Sequence, residues 1–123
     1  MATLNNRVFD NGLSVLDTEA SRIDVTTQEA TTYTEATSTY SKGNSTSLSI
    51  AAPSDRTGGG RKVTVAAISD GSITGTGTVT HYAITDVSNT RLLATGTLTA
   101  SQAVTSGNTF TLATFDIGIP DPA

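Results

Sequence analysis

Few residues in this chain could do chemistry. There is one histidine, His81, no cysteine, and of the eleven acids those at 10, 17, 24, 70, 86 and 116 stand apart from one another. Serine catalysis needs a nucleophile raised on a strained strand-to-helix turn, typically G-x-S-x-G. The nearest string, Gly71-Ser72-Ile73-Thr74-Gly75, sets its serine one position early and leads into no helical pattern. His81 therefore reads as a structural histidine in a sheet. Asp70 and Asp86 invite a calcium reading, but such a site needs several oxygen ligands converging. Asp70, followed by Gly71, is expected instead to shape a turn through its own backbone. Without cysteine there are no disulfides, thiolate metal sites or thiol nucleophiles. The expectation is no enzyme, no cofactor and no metal.

Binding chemistry is better represented. Arg56, Arg61 and Lys62 form the one basic cluster, around Thr57-Gly58-Gly59-Gly60. A phosphate-cradling loop would lead into a helix, whereas this one leads into the strand-like KVTVAAI. The cluster is either a solvated loop or a contact for an acidic partner surface. Tyr33, Tyr40 and Tyr82 are the three tyrosines and the aromatic candidates for partner contact. A net charge of −4 argues against nucleic acid. No apolar run approaches the roughly 20 residues of a membrane span, and the first residues lack the pattern of a secretory signal. Asn44-Ser45-Thr46 fits a glycosylation acceptor, which means little without export.

The elements that must carry these residues are strands. Between Arg61 and Ile119 the chain reads RKVTVAAI, DGS, GTVTHYAITD, VSNT, RLLATGTLT, SGN and TFTLATFDIGI, alternating runs closed by turn residues. Thr and Ser make up about a third of the chain, well above ordinary usage, and β-branched Thr suits a half-buried pleated surface. With three Phe and no Trp, the core must come from Val, Ile, Leu and Ala. Residues 4–20 have helical spacing at Val8, Phe9, Leu13, Leu16 and Ala20, against a hairpin signal at Asn11-Gly12. RIDVTT from Arg22 is expected as the first strand and STSLSIA from Ser45 as the second, with residues 28–42 a long connection. Tyr82 and Ile84 share one face of GTVTHYAITD, with Val79, His81 and Ala83 on the other, as in a central strand or a sheet whose outer face meets a partner.

The expected fold is all-β: an antiparallel β-sandwich, jelly-roll or Ig-like, of roughly six to eight strands, over residues 22–123. A short N-terminal helix or arm, residues 1–21, precedes it. Its core is expected to include Ile23, Val25, Leu48, Ile50, Val63, Val65, Val79, Leu93, Leu112 and Ile117.

Three stretches, FDNGLSVLDTEASRIDVTTQEATTYTEATSTY, GGGRKVTVAAISDGSITGTGTVTHYAITD and TRLLATGTLTASQAVTSGNTFTLATFDIGIPD, cover Phe9 to Asp121. In that order they resemble a family of small structural proteins of tailed bacteriophages. The resemblance implies a virion component made in the host cytoplasm and placed on the capsid exterior. The nearest class is the capsid cement or decoration protein, with the major capsid protein and further copies of itself as partners. A tail or fibre adhesin module binding the host surface is the alternative. No family catalytic residues carry over.

Overall fold

The computed structural model describes residues 6–120. In chain order the elements are helix α1 (Asn6–Glu19), strand β1 (Arg22–Thr26), a single π-helical turn (Glu35–Thr39) and β2 (Ser41–Ser45). There follow β3 (Ser54–Asp55), β4 (Arg61–Val65), β5 (Ile68–Ile73), β6 (Gly77–Asp86), β7 (Arg91–Val104), β8 (Thr109–Leu112) and β9 (Phe115–Ile119). Strand makes up 51% of the chain against 15% helix, which sets the class as all-β, with the short N-terminal helix expected. Every strand pairing is antiparallel, and the strands divide between two sheets, consistent with the β-sandwich expected. The nine strands among the described residues exceed the six to eight expected, the two-residue β3 being the slightest of them.

The chain forms two compact units, each assembled from separate segments. In the first, α1 lies with the three-stranded sheet β3-β4-β9. No acid sits in the first turn of α1 and no base in its last, so the helix dipole is uncompensated. Burial holds the helix instead, through Leu13 and Leu16 and packing on β4. Gly12, read in the sequence as a turn signal, is simply an exposed position on this helix. Phe115, Ile117 and Ile119 pair with Val65, Val63 and Arg61 and so share one face of the sheet. Val63 and Val65 are fully buried, whereas Ile117 is only half-buried because β9 is an edge strand.

The second unit is one six-stranded sheet ordered β7-β6-β1-β2-β5-β8. β6 is interior, one of the two readings its two-sided apolar pattern allowed: Ile23 and Val25 lie opposite Ile84 and Tyr82 on one face, Asp24 opposite Ala83 on the other. Ile23, Val25, Ile84 and Val79 are buried, with Ile68, Ile73 and Phe110 completing the core. Leu48, Ile50, Leu93 and Leu112 were expected inside and are half-buried.

Three sequence expectations are corrected. The second strand is Ser41–Ser45, not 45–51. It carries no alternating apolar residues, because its centre, Gly43, is wedged between Val25 and Ile73. A Cβ there would stand 2.6 Å from the Ser72 carbonyl oxygen. Ser49–Ala51 instead runs beside β4, with Ile50 bridged to Val65 and the Ala51 N–H donating to the Thr64 carbonyl at 3.0 Å. Asp70-Gly71-Ser72 is not a turn but part of β5, where buried Gly71 accommodates the Phe110 ring. Residues 28–42, expected as a connection, hold the π-helical turn and the first residues of β2. Ala30 and Ala36 pack there with Ala83, and Tyr40 and Leu92 close around them. Alanines at these positions let a backbone lie close against the sheet.

Candidate functional site

The basic cluster is built on the loop into β4. Gly58, Gly59 and Gly60 take φ of 91°, 105° and 87°, a left-handed run that turns the chain into the strand. Arg61 Nε donates to Asp10 Oδ1 at 2.9 Å, and its Nη1 donates to Asp55 Oδ1 at 2.6 Å. Lys62 Nζ donates to Asp116 at 3.1 Å, and that carboxylate also accepts from the Thr64 hydroxyl at 2.7 Å. Arg56 Nη1 donates to the Gly59 carbonyl at 3.0 Å. All three cations are therefore engaged inside their own unit. The partners Asp10 and Asp116 lie more than fifty residues from Arg61 and Lys62, beyond any local sequence pattern.

The tyrosines belong to the other unit. Tyr33 and Tyr40 flank the π-helical turn, and Tyr40 packs on the alanine cluster over Ala83. Tyr82 is the next residue along β6 and points to the opposite face, where its ring lies over Gly96 of β7. Burial pushes its hydroxyl above the ordinary tyrosine range. Tyr40 and Tyr82 thus do not form one aromatic platform.

The polar feature that sequence reading passed over is on the Ala83 side of the sheet. Asp24 is completely buried on β1 and accepts a forked pair from Arg22, Nε to Oδ1 at 2.7 Å and Nη2 to Oδ2 at 2.8 Å. The Ser41 hydroxyl donates to the same carboxylate at 2.6 Å, and Arg22 Nη2 also reaches the Thr37 carbonyl at 3.3 Å. The signal was the spacing Arg22-x-Asp24, which puts both side chains on one face of a strand. Asp24 thus anchors Arg22, and Arg22 ties the π-helical turn to the sheet through the Thr37 carbonyl. Burial raises its pKa, opposed by the bonds from Arg22 and Ser41, while the bond to Asp24 raises that of Arg22.

The remaining candidates are dispersed. His81 is half-buried on β6, with its Nδ1 2.7 Å from the Thr80 hydroxyl, and Ser72 is an exposed residue of β5. Asp70 accepts from the Ser47 and Ser45 hydroxyls at 2.8 and 3.3 Å, which replaces the turn role expected of it. Asp86, buried, accepts from Asn89 Nδ2 at 2.7 Å and closes the turn between β6 and β7. Among the described residues no three His, Cys, Asp or Glu groups gather as a metal site.

These carboxylates should separate in an acid titration followed by carboxyl NMR. Hydrogen bonds from Thr31 hold Glu35 below the ordinary carboxylate range, and bonds from Thr64 and Lys62 do the same for Asp116. Asp24 is expected above it. Glu35 and Asp116 favour the fold above their unfolded values and lose that contribution as pH falls through their depressed ones. Asp24 acts oppositely: protonation favours the fold, so its contribution declines as pH rises from the ordinary carboxylate value through the raised one. An Asp24 signal titrating alongside exposed aspartates would contradict the burial described.

Comparison with protein-family models, curated proteins and solved structures gave no match.

Proposed function

We propose that this chain is a structural protein of a tailed-bacteriophage virion. In this reading it is a capsid cement protein that binds the shell exterior in many copies, as a homo-oligomer, and bridges major capsid subunits. The observation that carries the reading is the resemblance running from Phe9 to Asp121. Supporting it is a strand-rich fold with long, Thr-rich surfaces and few charges, suited to lying along another protein. Strength of single contacts is not required. About 1–2 kcal/mol per site, the range of modest coupling, accumulates when many copies act on one shell.

The internal ion pairs of Arg61 and Lys62 refine the reading. A free basic patch would make attachment fall steeply with salt, whereas cations already matched by Asp10, Asp55 and Asp116 should leave only a shallow dependence. The adhesin alternative would call for aromatic rings gathered to stack on sugars, and Tyr40 and Tyr82 are turned to opposite faces.

The test is removal. Shells lacking the protein should disassemble at lower temperature, or at a higher threshold of ionic strength, than complete shells, and re-addition should restore them. Unchanged shells, with the protein found only on tails in a few copies, would overturn the cement role in favour of the adhesin.

A further inference from the structure

The two edge strands of the six-stranded sheet, β7 and β8, are consecutive in the chain. The short turn at residues 105–108 joins them. Strands so connected normally pair as a hairpin. Here β7 pairs only with β6 and β8 only with β5, and no ladder bond joins β7 to β8 among the described residues. The turn is tied to β5 instead, through the Gly107 N–H to the Ile73 carbonyl (2.9 Å) and the Ile73 N–H to the Asn108 carbonyl (2.8 Å). The sheet thus curls until its own edges meet at the turn and leaves an open seam. Residues 102–105 on one side and 108–111 on the other line a cavity of about 220 Å³ there, with Ile73 beside them.

The seam's chemistry is that of bare backbone. Antiparallel strands turn their main-chain groups alternately to either side. With the Asn108 carbonyl on the β5 side, those of Phe110 follow it, and those of Thr109 and Thr111 face the seam. No Asp, Glu, Lys, Arg or Pro lies between Arg91 and Asp116. The charges and prolines that usually guard a sheet edge are missing from the stretches of both strands that line the seam, residues 102–105 and 108–111. The cavity is smaller than the roughly 300–1,000 Å³ of small-molecule pockets and carries no ionisable group to hold a cofactor.

We propose that this seam is a strand-acceptor slot. It takes an extended, uncharged, small-residue segment of a capsid subunit, paired by main-chain hydrogen bonds to both edges; this rests on the cement reading. An occupant between two edges must itself have two free edges. Every described strand of this chain is already paired on at least one side, so a strand of a second copy could enter only by giving up its own pairing.

Thr111→Pro removes a seam-facing donor and no ladder bond, while Thr111→Val keeps that donor. Binding is read by co-sedimentation with phage shells stripped of the protein. Wild type and T111V should bind alike and T111P at least tenfold more weakly. In the wild type, the Thr109 and Thr111 amides should exchange fast when free and slowly on shells. Equal binding by T111P, or unchanged exchange at those amides on bound protein, overturns the slot and leaves the cement role standing. Should T111P fail to fold, by circular dichroism, the wild-type exchange decides alone. Failure of the wild type to bind shells overturns both readings. A dimer abolished by T111P with shell binding intact would make the occupant a second copy, against the proposal.

Discussion

Asp24→Ala is expected to lower unfolding stability by about 3 kcal/mol, the lower end of the range for removing one partner of a buried ion pair. The carboxylate is wholly buried, and its loss leaves two Arg22 donors without their acceptor. Arg22 keeps 23% of its side-chain surface exposed and so regains some water, which is why the lower end applies. The Ser41 hydroxyl would keep only its longer bond to the Gly43 carbonyl at 3.3 Å, and the arginine that ties down the π-helical turn would lose its anchor. Urea denaturation followed by circular dichroism measures the loss. Replacing both residues, as Arg22→Met with Asp24→Leu, should recover much of it, since an apolar pair of similar volume needs no desolvation of charge. A single-mutant loss under about 1 kcal/mol would mean that the pair behaves as an exposed one.

Gly60→Ala should be the most damaging single methyl in the first unit. Gly60 has φ of +87°, where an L side chain costs about 1–2 kcal/mol. Its added Cβ would also run onto the Ile119 carbonyl oxygen and stand 2.8 Å from the Pro120 Cα. Backbone cannot rotate away as a side chain can, so overpacking of about 1–3 kcal/mol adds to the strain. Gly58 separates the two effects. Its φ is +91°, but the nearest atom to an added Cβ is the Arg56 Nη1 at 3.8 Å. Gly58→Ala should therefore show the strain alone, and G60A roughly twice that loss or more. Equal thermal shifts in the two variants would mean that β9 does not press on this loop.

Periodicity found what side-chain alternation encodes. β6 was legible to the residue, because Tyr82 and Ile84 alternate with Ala83 between turn signals, and β4 was marked by Val63 and Val65. β2 was illegible for the opposite reason: Ser-Lys-Gly-Asn-Ser has no apolar period, and the strand exists because Gly43 permits close backbone approach. The helix was visible in Leu13 and Leu16 despite Gly12. The π-helical turn was not, since its buried contacts are alanines that read as neutral. For the sites, chemistry was legible by residue type and misjudged by context. Arg61 and Lys62 were found, but their distant carboxylates Asp10 and Asp116 were not, because no spacing rule spans fifty residues. The unpaired seam left only one trace in the sequence, the long stretch without charge.

The interleaving of the two units bears on how a ribosome would deliver this molecule. Residues 20–48 and 68–112 complete the six-stranded sheet, and only then does β9 emerge to meet β4. Val63 finds its partner Ile117 after all of that intervening chain has been made. At roughly 5–20 residues per second the wait lasts seconds, during which β4 offers an open edge beside nascent strands. A chain truncated just past Leu112 would hold every strand of the six-stranded sheet and lack β9 for the other. Delivery of five residues, Phe115–Ile119, is the event that commits the first unit to its fold.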